Sequence, residues 1–327
     1  MMRKATLLLS AIFVLALLLV TGKLLVSGDS FGLTNPSWDG ISSVALSHNA
    51  APLYGFGQLR QAGPDDTLLI IGPSASYTGQ DAADVSDFML DGGRTIVMDD
   101  YGTADTLLES LGSPIEIRHV PLCQDVDYYR SPSLPIVSGI TYHGITDSVN
   151  TLALNHPVPL QLSGDARPLA GTSPKAWLDT DDNSTIDGNE TFGSYTVMAQ
   201  ADYGKGELIV AGDADLLVNG MLRKGDNGVL LGNIMKNGTV YVDTGHGQQV
   251  PPLASLYFLI KFNIFAQAVC VMAIMAAAGA CIVWGRPRVK KEQKESGEHD
   301  TRRSLIAAMK AEMPLSERDI KVLNKKL

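Results

Sequence analysis

The run Asp179-Thr180-Asp181-Asp182-Asn183-Ser184-Thr185-Ile186-Asp187-Gly188-Asn189-Glu190 has the rhythm of a cation-binding loop. Side-chain oxygens stand at loop positions 1, 3, 5 and 9, a carbonyl at 7, an aliphatic residue at 8 and Glu at 12. That is the oxygen pattern with which an EF-hand loop surrounds Ca2+, a hard ion that prefers carboxylate and carbonyl ligands. The expected ligands are Asp179, Asp181, Asn183, the Thr185 carbonyl, Asp187 and a bidentate Glu190. Two features depart from the pattern. Ser184 stands where Gly normally makes the turn, and the flanks around Trp177 and Tyr195 read as strands, not helices. The plain alternative is a solvated acidic hairpin tip.

A second group of candidates follows apolar runs: Asp99 and Asp100, Asp213, and His246 in Asp243-Thr244-Gly245-His246. Open α/β sheets bind ligands beyond the carboxyl ends of their strands. Paired carboxylates at such ends hold a metal or serve as acid and base in a hydrolase. Their non-catalytic use is to cap the next helix by accepting its amide protons. Covalent catalysis would need Ser or Cys at a strand-to-helix elbow, and Asp99-Asp100-Tyr101-Gly102-Thr103 offers neither. Cys123, with His119 four residues before it, is the remaining lead, and a lone Cys is otherwise a small apolar filler.

These side chains must be positioned by the stretch Thr67 to Gly112. Leu68 to Ile71 is an apolar strand, and Thr78 with Asp81 has the spacing of a capping box. Ala82, Val85, Phe88 and Met89 then share one helical face, which Gly92-Gly93 ends. Thr95 to Met98 is a second strand, followed by a helix marked by Ala104, Leu107, Leu108 and Leu111. Strand, helix, strand at this spacing predicts parallel strands buried on both faces. Around this unit we expect a strand at Val44 to Leu46, a short helix over Tyr54 to Gln61, and a strand over Ile115 to Val120. A long surface loop should occupy residues 121 to 148. Further strands are expected at Thr151 to Leu154, Leu160 to Leu162, Lys175 to Leu178, Tyr195 to Ala199, Glu207 to Ala211 and Thr239 to Val242, with a helix over Asn227 to Met235. The fold class is α/β: a mostly parallel sheet flanked by helices with antiparallel additions, plus two transmembrane helices.

The charge distribution separates the chain into parts. Residues 28–250 hold 24 Asp and 4 Glu against 10 Lys and Arg, whereas the whole 327-residue chain has a formal charge of −9. An acidic body disfavours nucleic acid, which requires concentrated positive charge. Ala5 to Gly22 and Ile264 to Trp284 are uncharged apolar runs long enough to cross a bilayer. Arg3 and Lys4 precede the first, and Arg286-Pro287-Arg288-Val289-Lys290-Lys291 follows the second. The positive-inside rule therefore predicts a two-pass protein with both termini cytoplasmic and the body outside the cell membrane. Tyr257 and Trp284 stand where interfacial aromatic residues would, and Lys261 can snorkel. The expected divisions are an anchor at 1–27, an extracytoplasmic α/β domain at 28–250, a transmembrane segment at 251–285 and a basic tail at 286–327. The partners expected are the lipid bilayer and, through the amphipathic tail, membrane or cytoplasmic proteins.

Several short motifs occur together and in order: Asn35-Pro36-Ser37-Trp38-Asp39-Gly40, Gly72-Pro73 with Tyr77-Thr78, Phe88 with Gly92-Gly93, and Asp99 to Ala104. Trp177-Leu178-Asp179 with its acidic loop, Gly212-Asp213 and Asp226-Asn227 continue the series. Residues 30 to 250 resemble the family called domain of unknown function 4350. The resemblance implies a class I glutamine-amidotransferase-like (flavodoxin-like) fold in a membrane-anchored protein of archaeal type, acting near envelope or transport machinery. It also implies that a glutaminase would need a Cys elbow, which is missing. The resulting expectation is a catalytically silent domain that binds a ligand or partner. The alternative is a metal-dependent hydrolase using Asp99, Asp100, Asp213 and His246.

Overall fold

The computed structural model describes residues 24–47, 49–247, 250–262 and 264–284, with scattered positions before residue 24 and residues 304 and 307. Most of the apolar run Ala5 to Gly22 and the basic tail lie outside the described residues. The described chain forms two units, up to residue 263 and from residue 264 onward.

The first unit is built on the strand pair expected from the sequence. Strands β2 (Thr67–Ile71) and β3 (Arg94–Met98) run parallel in register, Leu69 opposite Ile96 and Ile71 opposite Met98. Between them lies helix α2 (Gly79–Leu90), whose Thr78 and Asp81 form the expected capping box. Strand β1 (Ala50–Leu53) and the last strand β14 (Val240–Asp243) continue the parallel set on one side, and β13 (Gly206–Ala211) on the other. The parallel order is therefore β1-β14-β2-β3-β13. Strand β12 (Thr196–Tyr203) leads into β13 through a tight hairpin at Gly204-Lys205, where Gly204 adopts φ +62°, and lies antiparallel beside it. Antiparallel pairing then continues to β10 (Arg167–Gly171) and β7 (Gly139–Ile140), while β9 (Leu160–Leu162) pairs with β12 and carries β4 (Ile115–Ile117). The result is a mixed α/β domain whose central sheet is parallel in its core and antiparallel toward one edge.

Alternate residues of the central strands feed two cores. Leu68, Ile70, Val97, Leu208 and Val210 pack against α2 and α3 (Asp105–Ser110) through Val85, Phe88, Met89 and Leu107. Leu69, Ile71, Ile96, Met98 and Ile209 face the other way, toward α1 (Ser42–Ala45) and α4 (Asn227–Ile234) through Val44, Leu230 and Ile234. Burial on both faces is what a parallel sheet requires, and it explains the unbroken apolar runs.

Three local readings change. Val44 to Leu46 belongs to a helical turn, because Leu46 N–H donates to Ser42 O at 2.9 Å and Asn219 Oδ1 accepts from Ser43 N. The strand expected over Ile115 to Val120 stops at Ile117. Residues 121 to 148 are not a plain surface loop. They contain β5 (Leu122–Gln124), β6 (Ile136–Val137) and β7, with β5 paired to β11 (Ala176–Leu178) and β6 to β8 (Leu152–Ala153). Buried Gln124 holds this segment: its Nε2 donates to the carbonyls of Val126, Asp127 and Ile136, and its Oε1 accepts from Ser173 N.

Helix α5 (Pro252–Phe262) belongs to the first unit. Ala254 and Phe258 are buried there, and Lys261 Nζ donates to the carbonyls of Ser47 and Ala50. The second unit contains α6 (Ile264–Trp284), with side chains described only as far as Ala278. Among the described residues no single helix is long and apolar enough to cross a membrane; Pro252–Lys261 and Ile264–Ala278 reach that length and apolar composition only when counted together as a broken pair.

Candidate functional site

The exits of β3 and β13 are closed by two aspartates whose side chains turn inward. Asp99 is fully buried; its Oδ1 accepts from the backbone N–H of Asp100 and Gly102, and its Oδ2 from that of Ala104, all at 2.8–2.9 Å. Burial outweighs these bonds and pushes its pKa up to about 6. Asp213, also fully buried, accepts from Asp215 N through Oδ1 and from Asn155 N through Oδ2, both at 2.8 Å. Burial, then the neighbouring Asp215 charge, raises its pKa well above the ordinary carboxylate range. Asp215 is pushed to about 6 mainly by burial, despite the Asn155 amide donating to it. Asp100 is raised by burial as well, and its own Oδ1 accepts from Tyr101 N.

His246 belongs to a different cluster. Its Nδ1 lies 3.1 Å from Asp243 Oδ2 and its Nε2 lies 3.5 Å from Asp81 Oδ2. Tyr77 stacks on the imidazole with ring centroids 4.1 Å apart and donates its hydroxyl to Asp243 Oδ2 at 2.9 Å. Phe56 covers the imidazole as well, its ring centroid 5.1 Å away. The His246 carbonyl accepts from Ser74 N and Ala75 N, so the segment after β14 is sewn to the loop after β2. The Asp243 hydrogen bond, opposed by burial and aided by both carboxylate charges, raises the His246 pKa. Asp81 is held low by Thr78 and His246 although burial opposes it.

Of the four strand-end candidates, His246 lies in a separate cluster, while the Asp100 charge contributes to raising Asp213. Asp99 and Asp100 border a groove of ≈ 430 Å³ over Gly72–Ser74 and Gly102–Thr103, and neither Asp213 nor His246 lines it. His246 is instead joined by Asp81 and Tyr77, which sequence reasoning placed only as a helix cap and a family motif. The Cys123 and His119 lead separates. His119 turns to Asp105 Oδ2 at 2.5 Å and to the Asp100 carbonyl. Buried Cys123 donates toward Asp179 Oδ2 at 3.6 Å, and burial followed by the Asp179 charge pushes its thiol up to about 12. A thiol in that state is a poor nucleophile. Among the described residues no Ser or Cys side chain hydrogen-bonds to a histidine.

The acidic loop is folded by its own side chains. Asp179, nearly fully buried, accepts from Asn183 N and Ser184 N at 3.1 and 2.7 Å. Glu190 accepts from Thr180 N at 2.6 Å and from Asp187 N at 3.1 Å, so it closes the loop across ten residues. Oxygens of Asp179, Asp181 and Glu190 lie within 4.8 Å of one another. Asn183 bridges Asp181 and Asp187 through Nδ2, at 2.9 and 2.8 Å, and its Oδ1 accepts from Thr185 N. Ser184 adopts φ +59°, the left-handed angle for which position 6 normally uses Gly.

An α/β domain with a parallel core and amide-capped strand ends is therefore the class of protein. The chain belongs to the family described as Domain of unknown function (DUF4350), which matches residues 34–235. Among solved structures it is similar to the mmIFT52 N-terminal domain, at 18% identity and a TM-score of 0.40, covering 52% of this chain and 75% of that one. It is also similar to the cytoplasmic protein STM1381 from Salmonella typhimurium LT2, at 12% identity and a TM-score of 0.36, covering 58% and 77% respectively. Gan42B, a GH42 beta-galactosidase, matches at 13% identity and a TM-score of 0.29, covering 53% of this chain and 21% of that enzyme. A search of curated proteins finds no match.

The raised carboxyls make stability depend on pH with a definite sign. Asp99 and Asp215, at about 6, bind protons more readily folded than unfolded, as do Asp100 and Asp213. Their contribution is fully present below the unfolded carboxylate pKa and is lost as pH rises through about 6. The raised His246 has the same sign at higher pH, whereas the lowered Asp81 and Glu207 contribute above their unfolded values and lose that contribution in acid. The melting temperature should therefore rise from about pH 8 to about pH 5.5 and fall again below about pH 4. Asp215→Asn should flatten the rise; a profile that is flat or inverted in the unsubstituted protein would refute the assignment.

Proposed function

We propose that the chain is a membrane-anchored accessory whose extracytoplasmic domain is a catalytically silent, amidotransferase-like scaffold that binds a ligand or partner for envelope or transport machinery. The observation that carries this reading is the engagement of Asp99 and Asp213 by backbone amides, in a domain whose single cysteine is a buried, protonated thiol. Carboxylates engaged in this way fix loops and helix starts, so Asp99 and Asp213 are committed to backbone amides and not free to act as general bases. The full chain, purified in detergent, should show no turnover of glutamine, esters or phosphate esters with or without Mg2+, Mn2+ or Ca2+. Metal-dependent turnover lost in Asp100→Asn would install the hydrolase reading in its place.

The membrane reading rests on the two apolar runs and on the basic residues beside them. Protease applied to intact cells should cleave the exposed segment around Asp125 to Arg130 and spare the tail beyond Lys291. A digested tail beside a protected body would reverse the orientation.

We further propose a Ca2+ role for the acidic loop, resting on the EF-hand-like spacing of its oxygens and on Ser184, which adopts the left-handed turn at position 6. Binding would turn the Asn183 amide so that Oδ1 replaces Nδ2 as the group facing the carboxylates. Ligand distances should be about 2.3–2.6 Å. At about a hundredfold excess over Kd, Ca2+ should stabilise the folded form by about 2.7 kcal/mol, several degrees in melting temperature. Glu190→Gln should remove most of that shift. A melting temperature indifferent to Ca2+ and EDTA would leave the loop as a hydrogen-bonded acidic tip.

A further inference from the structure

A groove of ≈ 380 Å³ on the first unit combines the exposed Trp38 and the half-buried Tyr129 with cations that have no carboxylate partner. Lys224 Nζ sits 3.8 Å from the centroid of the Tyr129 ring, and the Arg130 guanidinium lies 5.1 Å from the same centroid. Arg60, Arg94, Arg118 and Arg167 of the same unit each lie beside a carboxylate. Among the described residues neither Arg130 nor Lys224 does. Other basic residues of the unit also lack a carboxylate partner, but Arg130 and Lys224 are distinguished by being gathered on one phenol ring, in a body with 28 acidic residues against 10 basic ones. They repel one another, and a bound anion would relieve that repulsion.

The remaining wall supplies a flat apolar face. Trp38 is 63% exposed at the groove. Its position is fixed by Gly220, whose N–H donates to the Trp38 carbonyl at 2.8 Å and where an added Cβ would come within 3.2 Å of Trp38 Cβ. Asn155 turns its Nδ2 to Asp215, leaving its amide oxygen as an acceptor. The opposite rim is held by a hairpin in which Tyr129 N donates to Leu134 O and Leu134 N to Ser131 O, with Arg130 at φ +73°. Gln124 fastens the base of that hairpin. The rings and cations are therefore presented by a fixed frame.

We propose that this groove binds an acidic sugar unit, a uronate of an anionic glycan. The pyranose C–H face would stack on the Trp38 indole, the carboxylate would pair with Lys224 and Arg130, and a hydroxyl would donate to Asn155. A polynucleotide is disfavoured because the surrounding acidic surface repels extended polyanions. An acidic peptide would satisfy the cations and leave the exposed indole unused. The inference rests on the ligand-binding reading above and gives it a chemical class. Turnover does not involve these residues, and the topology test reads protease access, not ligand binding, so failure of the uronate proposal is distinguishable from failure of that reading.

Oligogalacturonate and oligoglucuronate, titrated into the full chain in detergent, should bind saturably and change tryptophan fluorescence. Binding should weaken about tenfold or more in Lys224→Met and in Arg130→Met, the loss expected for a charge-assisted contact, and also in Trp38→Ala. Arg60→Gln, which removes the same charge elsewhere, should bind as the unsubstituted protein does. All three substituted side chains border an open groove, and melting temperatures identify any variant that fails to fold; in that case the other two decide. Equal binding of neutral galactotriose, preference for triglutamate, indifference to all three substitutions, or no binding of either uronate oligomer would overturn the proposal.

Discussion

The rest of the structure depends on burying β2, β3 and β13 on both faces at once. A strand in that position has no solvent-facing side on which to place polar residues, so its sequence becomes a short apolar run. Its backbone is satisfied laterally by parallel neighbours, but the chain leaving its carboxyl end must enter a turn while still buried. Amides in such a turn have no strand partner and no water, and leaving them unpaired costs about 1–3 kcal/mol each. Asp99 supplies three acceptor contacts at the end of β3, and Asp213 supplies two at the end of β13. Their buried carboxyls are pushed toward the neutral form as a consequence. A raised proton affinity of this kind follows from the buried position of an amide cap.

The same constraint explains how much of the fold was legible. The unit from β2 to α3 could be read because its strands are fully buried and its helix boundary is local: Thr78 and Asp81 are three residues apart. The antiparallel edge was harder. Strand β10 passed unnoticed because it contains Pro168 and Gly171 and only Leu169 and Ala170 are buried; its register against β12 also shifts at these residues. Residues 121 to 148 read as loop from their Pro, Ser and Gly content. Their order comes from partners far away in the chain, such as Trp177 opposite Cys123 and Leu152 opposite Val137.

The candidate sites divide along the same line. The acidic loop was visible because all of its groups lie within twelve residues, and loop spacing carries most of its geometry. The His246 cluster was only half visible. Asp243 and His246 are neighbours in sequence, but Tyr77 lies 166 residues from Asp243, and Asp81 arrives on another helix. No local pattern marks such a meeting. The sheet topology creates it, because β14 inserts between β1 and β2 and delivers its carboxyl end to the start of α2.

The choice of Asp over Glu, 24 against 4 in residues 28–250, ties these features together. A preference for negative charge alone would be met equally well by Glu, which is the better helix former. Asp has the shorter arm, which reaches backbone N–H groups within a few residues of itself and favours turns and caps. Asp66 illustrates this by joining Gly63 N to Thr239 N, and Asp226 by holding Asn150 N and Thr151 N. Much of the acidity is therefore a by-product of fastening a domain rich in turns. Once those carboxylates are assigned to amides, fewer remain to neutralise surface cations. Cations without a carboxylate partner beside a half-buried phenol ring, as at Arg130 and Lys224, then have electrostatic freedom to meet an anion from outside the chain.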